Sequence, residues 1–277
     1  MVRIITDSST LFTTDEAKEM GIDVLPLCVN IGDLEGRDLQ IDMNDFYNRI
    51  ANGGIPKSSQ PPIGEVMDAY EKYPEDEIIN IAMADGLSGT YQSACGAKEM
   101  VDNKENITVI NTKTLCGPHR YMVQKALQMK KEGSTAKEII AWLEHVREHQ
   151  ESFLIPQDFD FLRRGGRLTP MAATFASTLK LKPIMTQTPD GCRLDKYAIK
   201  RNMKQAVGAV IERLKKKGVD AKHIIYVSHA NVLEDAKKVI QILKEHFPGV
   251  EIIMLDLGAA FVTQGGPKCV AIQYIEK

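Results

Sequence analysis

The sequence predicts an α/β protein of two domains, and three observations predict it. Short apolar runs alternate with amphipathic stretches of helical period along the whole chain, the pattern of strands separated by helices. At 277 residues the chain is longer than one hydrophobic core usually serves. Near residue 152 a regular strand–helix alternation gives way to a mixture with hairpin character. We therefore expect domains at 1–152 and 153–277. The first reads as a doubly wound, mostly parallel sheet and the second as a mixed α/β domain, with a ligand in the crevice between them.

Each element has a local reason. Residues 2–6 form an apolar strand, 13–20 a helix capped by Thr13 or Thr14, and 24–27 a second strand. Asp42 or Asn44 caps a helix over 42–50. Beyond the proline-bearing run SSQPP, 63–72 are helical, 77–83 form a buried strand and 89–100 a helix. A strand at 107–110 and a helix at 118–132 ended by Gly133 follow, then a helix over 134–148 with Ser134 as N-cap. In the second domain 152–155 is a strand, and QDFDFLRRGGRLTP after it reads as irregular. A helix is expected over 172–179. Asp190-Gly191 is a hairpin signal between strands at 183–188 and 193–199. Helices at 205–217 and 231–247 alternate with strands at 224–229, 251–255 and 270–274.

Composition narrows the function. A formal net charge of −2 gives no general attraction to polyanions, and no basic stretch is interleaved with aromatics, so nucleic acid is not an expected partner. The five cysteines are scattered and odd in number, without CxxC spacing, which argues against a disulfide framework or a zinc site; no metal is expected. The N-terminus enters a strand without the apolar core of a signal peptide. No apolar run approaches the about 20 residues that a membrane helix needs. The protein reads as soluble and cytoplasmic, with no membrane insertion.

Three short polar segments stand at strand or helix ends in the first domain. They are Thr6-Asp7-Ser8-Ser9, Ser58-Ser59-Gln60-Pro61-Pro62 and Asp85-Gly86-Leu87-Ser88-Gly89-Thr90. Loops at the carboxyl ends of parallel strands face the ligand crevice, and a helix N-terminus there offers backbone N–H groups to an anion. In GLSGT, Ser88 stands at or near an N-cap and the glycines allow tight turns. The segment is either an oxyanion cradle or simply a capped strand-to-helix turn. As a cradle it lacks the Lys or Arg usual beside a phosphate, which favours a carboxylate. As a nucleophile motif it fits GxSxG only loosely, since Thr90 stands at the fifth position, and no histidine is tied to Ser88 by a local pattern. His145 and His149 read as a solvated helix face, and His229 as a strand-end residue able to line a crevice or to pack. Arg163, Arg164 and Arg167 around Gly165-Gly166 could meet a partner or an anion, or stand in solvent.

Taken together and in this order, these segments resemble the DegV family. TDSS, SSQP at 58–61 and GLSGTYQSA at 86–94 match its first-domain motifs; FDFLRRGGRL at 159–168 and LKLKPIM at 179–185 match its second. The resemblance covers essentially the whole chain. It implies a two-domain fold that holds a long-chain fatty acid in a slot between the domains and presents its carboxylate to a separate fatty acid kinase subunit. The chain itself would be a carrier and not an enzyme, with the fatty acid as ligand and no cofactor. The family's carboxylate ligands fall on Ser58, a serine where threonine is usual, on Ser88 and on the Gly89 N–H. The position of a family histidine holds Gln264, and an arginine implicated with the kinase falls on Arg201. Ala84-Asp85 stands where a serine pair is common. The helix over 171–181, with Phe175 and Leu179 one turn apart, is a candidate wall for the acyl tail. Two alternatives remain: a Ser-centred acyl hydrolase, and a carrier of a different amphipathic anion.

Overall fold

A computed structural model describes residues 1–174 and 181–277. The chain forms two compact units, Met1–Glu148 and His149–Lys277. In the first, β1 (Val2–Asp7) leads through α1 (Thr14–Met20) to β2 (Asp23–Leu25). Then come β3 (Cys28–Ile31), β4 (Leu34–Arg37), α2 (Met43–Ala51), β5 (Lys57–Ser59) and α3 (Ile63–Glu71). β6 (Glu77–Ala82), α4 (Thr90–Glu99), β7 (Ile107–Asn111), α5 (Cys116–Lys131) and α6 (Ala136–Val146) complete it. The second unit runs β8 (Gln150–Ile155), α7 (Phe159–Gly165), α8 (Pro170–Ala173), β9 (Lys182–Gln187) and β10 (Leu194–Lys200). It continues through α9 (Met203–Lys216), β11 (His223–His229), α10 (Leu233–His246), β12 (Glu251–Asp256), α11 (Ala259–Gly265) and β13 (Val270–Glu276).

The first unit is doubly wound, as its sequence predicts. Its main sheet has the order β2-β1-β6-β7, and every pair in it is parallel. One face buries Ile5, Ile78 and Ile107 against Val66 and Tyr70 of α3 and Ala94 and Ala97 of α4. Helices α5 and α6 pack on the same strands from the chain's other crossovers. Strands buried on both faces read as the continuous apolar runs seen at 77–82. A small antiparallel sheet, β4-β3-β5, is the part not expected. Its strands are three or four residues long, below the length at which alternation is distinctive.

The second unit is mixed α/β. Its six strands are ordered β10-β9-β8-β13-β11-β12, with only β11 and β12 parallel. Phe153 and Ile155 of β8 and Ile225 and Val227 of β11 face α9 and α10, while Leu154 and Met185 face α7 and α8. This is the period-two alternation of a sheet covered on two sides. The expected boundary at 152/153 falls within β8, whose residues from Gln150 onward pair with β13, so the division at 148/149 keeps that strand with its own sheet.

Helix starts follow side-chain chemistry. Thr13 forms a capping box with Glu16, and Asp42 accepts the Asn44 N–H at 2.8 Å. The helix assigned to Ser134 is capped instead by Thr135, which forms the reciprocal pair with Glu138. The run 159–165, expected to be irregular, is helical with Asp158 as N-cap. Phe175 and Leu179 of the proposed tail wall lie outside the described residues.

Candidate functional site

Strand order places a topological switch point between β1 and β6. From β1 the chain crosses to β2 on one side, and β6 and β7 lie on the other, so the carboxyl ends of β1 and β6 flank the usual ligand position of such a sheet. TDSS begins with the last two residues of β1, and the turn 84–89 follows β6. The two behave differently.

TDSS turns inward, and Thr6, Asp7, Ser8 and Ser9 are all buried. The Asp7 carboxylate accepts the Ser9 N–H and the Met83 N–H, both at 2.9 Å, joining the ends of β1 and β6. Ser8 Oγ donates to Asp38 Oδ2 at 2.9 Å and accepts the Leu27 N–H at 3.1 Å. Thr6 Oγ1 donates to the Ile81 carbonyl at 2.8 Å. His119 of α5, wholly buried, lies between Ser9 Oγ at 2.7 Å from Nδ1 and the Ile81 carbonyl at 2.9 Å from Nε2. A carbonyl only accepts, so Nε2 carries the proton and Nδ1 accepts the Ser9 hydroxyl. Burial holds the His119 pKa below its ordinary value. The segment that reads as a ligand loop is a buried clamp.

The turn after β6 stays half open. Gly86 adopts φ +82°, a left-handed conformation that disfavours a side chain. Ser88 Oγ pairs with Thr90 Oγ1 at 2.8 Å and accepts the Thr90 N–H at 3.3 Å. Gly89 occupies the N-cap position of α4 and supplies no side-chain cap, so the first-turn N–H groups, which have no intrahelical acceptor, are left to other partners. Asp85 braces this turn: Oδ1 accepts the Gly86 N–H at 3.0 Å and Oδ2 accepts Gln92 Nε2 at 2.7 Å. Its charge is thereby drawn toward the α4 side chain of Gln92. Burial, then contact with Cys95, raises the pKa of the neighbouring Tyr91, which keeps the phenol neutral.

The third segment is brought to the same place. Ser58 lies on β5, in register with Val29 of β3, and lines a surface recess of about 620 Å³ together with Ser59, Lys57 and Arg37. Arg37 is ion-paired with Glu65 and bonds Cys28. Beyond β5 the Gln60 side chain lies over Gly89, where an added Cβ would stand 3.1 Å from its Oε1. SSQP and LSGT are therefore neighbours at the N-terminus of α4. As for a nucleophile, the side-chain partner of Ser88 is a threonine hydroxyl and not an imidazole.

In the second unit, Gln264 lies on α11 and packs on Gly165 of α7. Arg201 is exposed in the bend between β10 and α9, with its N–H bonded to Gln205 Oε1 at 3.2 Å. Gln205 in turn donates its own N–H to Asn202 at 2.9 Å, so the bend is fixed. His229 ends β11, buried, with Nε2 3.4 Å from Asp256 of the adjacent strand. Arg163 is ion-paired with Asp160, and Arg164 stacks over the Phe161 ring at 4.7 Å. His119 was the residue missed by sequence reasoning; nothing local marks it, since its partners lie about 40 to 110 positions away along the chain. Among the described residues no cluster of His, Cys, Asp and Glu is suited to a metal, and no helix is long and apolar enough to cross a membrane.

Fold and turn together define a two-unit α/β protein with the N-terminus of α4 at the switch point of its parallel sheet. The chain belongs to the DegV family of uncharacterised proteins, whose profile matches residues 1–277. A DegV domain-containing protein of Staphylococcus aureus is 34% identical over 88% of each chain. The structure of DegV, a fatty acid binding protein from Bacillus subtilis, shares 30% identity and superposes with a TM-score of 0.87, covering 100% of this chain and 99% of that one. A DegV family protein from Ruminococcus gnavus, whose structure holds vaccenic acid, is 26% identical at a TM-score of 0.87, over 98% and 99% of the two chains.

Proposed function

We propose that this protein is a fatty-acid carrier, binding a long-chain acid by its carboxylate and presenting it to a separate fatty acid kinase subunit, without catalysing a reaction itself. The observation that carries the reading is the convergence of Gln60 on Gly89, which sets two hydroxyl-bearing segments side by side at the start of α4, where Gly89 itself gives no side-chain cap. Within the first unit the head group is met by the hydroxyls of Ser58 and Ser88 and the Gly89 N–H. A buried carboxylate needs such donors, because leaving it unsatisfied costs several kcal/mol or more. Each methylene of the tail contributes about 0.8 kcal/mol when removed from water, so a long chain offsets that cost. The turn 84–90 holds no Lys or Arg, which favours a singly charged carboxylate over a phosphate. Relatives with bound or named fatty acids support the ligand class. Arg201, exposed on a fixed bend, is the candidate contact for the kinase, and the setting we infer is the cytoplasm.

Mass spectrometry of an organic extract of the purified protein tests the reading. A long-chain fatty acid near one equivalent is expected. A protein that carries no lipid and takes up none when it is offered would refute it.

A further inference from the structure

Charge is not shared evenly between the two units. Residues 149–277 hold 20 Lys and Arg against 13 Asp and Glu, whereas residues 1–148 hold 15 against 24, so the near-neutral total conceals a basic unit and an acidic one. Within the basic unit the stretch after Asp195 is the extreme. The next carboxylate along the chain is that of Glu212, and between the two stand Lys196, Lys200, Arg201 and Lys204.

Three of those cations gather with Lys182 at one corner, where β10 ends and α9 begins. Lys200 stands directly opposite Lys182 across the β9–β10 pair, and like charges so placed repel. Lys182 Nζ donates to the neutral Gln157 amide oxygen, while the adjoining Asp158 caps α7. Arg201 and Lys204 are exposed, and Lys204 lies in the first turn of α9, where the helix dipole disfavours a cation. Among the described residues, none of these four cations has a carboxylate partner. Lys196, at the bulge of this edge strand, is accounted for by guarding the edge against strand addition. Edge protection does not account for the corner, since Lys200 is the last residue of the strand and Arg201 and Lys204 lie beyond it.

We propose that the corner of Lys182, Lys200, Arg201 and Lys204 is a docking surface for an acidic segment of a protein partner, whose carboxylates supply the ion pairs that the chain itself leaves unmade. This rests on the reading of a carrier that delivers to a separate protein, and it adds three contacts to Arg201 together with the chemistry of the opposing surface. Charges at the rim of an interface speed encounter more than they deepen affinity, so the partner's approach is steered and salt-sensitive.

The test measures association of the lipid-loaded protein with a fatty acid kinase subunit, for wild type and for Lys200→Gln/Lys204→Gln. Lys216→Gln/Lys217→Gln is the control, because those exposed lysines stand at the C-terminal end of α9, where the dipole favours them. Each protein is compared at about 50 and about 300 mM salt, with melting and lipid retention recorded alongside. The corner variant is expected to associate about tenfold more slowly at low salt and to lose most of the salt dependence. It should melt at or above the wild-type temperature, since repulsion has been removed, and should retain lipid as wild type does. Wild-type association by the corner variant, an equal loss in the control, or a fall in melting temperature accompanying the loss would overturn the proposal. Loss of binding to phosphatidylglycerol vesicles with kinase association kept would overturn it too, in favour of a lipid surface. Wild type that retains lipid yet forms no complex would refute the docking surface and leave lipid binding standing. Wild type that retains no lipid would overturn the carrier reading and this inference with it.

Discussion

The side-chain amide of Gln60 lies over Gly89, close enough that a methyl group on the glycine would sit 3.1 Å from its oxygen. Gly89 has φ −73°, an ordinary conformation, so glycine serves there to admit a neighbour and not to relieve the backbone. Gly89→Ala should therefore leave the thermal transition nearly unchanged while weakening fatty-acid binding by about 1–3 kcal/mol through crowding. Adding Gln60→Ala should restore part of that loss. Fluorescent-lipid displacement on the two variants measures both effects, and binding equal to wild type in Gly89→Ala would remove Gly89 from the site.

Ser88→Ala and Ser58→Ala should each weaken retention of a fatty acid by about 1–3 kcal/mol, the cost of leaving a dry head group short of one donor. Ser88→Ala has a second consequence, because Thr90 loses the acceptor for its N–H and the partner of its hydroxyl. Ser88→Thr, which keeps a hydroxyl, separates the two effects. Retention unaltered in both alanine variants would place the head group elsewhere.

Stability should fall on acidification through His119. Its folded pKa is lowered from the ordinary 6.5 because burial opposes the charged form. Unfolded chains therefore take up the proton first. The stabilisation is full above about pH 6.5 and is lost as pH falls from there toward the lowered folded value. Thermal melts between pH 8 and pH 5 should show this slope, and His119→Gln should flatten it. The same variant should be less stable at pH 8 by about 1–3 kcal/mol, since Ser9 and the Ile81 carbonyl lose a partner placed between them. An undiminished slope in His119→Gln would assign the acid sensitivity to another group.

Arg201→Ala should leave lipid affinity and melting untouched, because the side chain is exposed and the bend is held by Gln205 and Asn202 instead. In a coupled assay with a fatty acid kinase, acyl phosphate formation should drop by about tenfold or more. Unimpaired turnover would remove Arg201 from the partner contact.

The alternation of strands and helices was legible because buried parallel strands are unbroken apolar runs, as at Ile78–Ile81, and because Asp190-Gly191 marks its hairpin in two residues. The β3–β4–β5 sheet was not legible, since its strands are too short for any period to register. The helix α7 was hidden by its glycines, which read as a break although Gly165 belongs to the helix and Gly166 ends it. Within the candidate site, composition marked the polar segments without telling inward from outward. Thr6–Ser9 and Ser88–Thr90 are both polar in sequence, yet one is consumed by His119, Asp38 and Met83, while in the other Ser88 is half-buried and Gly89 exposed. The seat of Gln264 on Gly165 joins residues almost a hundred positions apart, a relation no local pattern records.

The Asp7 carboxylate, shared between the Ser9 and Met83 N–H groups, gives the turn after β6 a fixed foundation. If that turn holds the head group as proposed, it has little left to organise when a guest arrives, and the ordering cost of binding is small. Differences among guests should then appear as differences in how long each stays, with arrival rates nearly alike. For a carrier of the kind proposed, residence time is the quantity that separates delivery from storage.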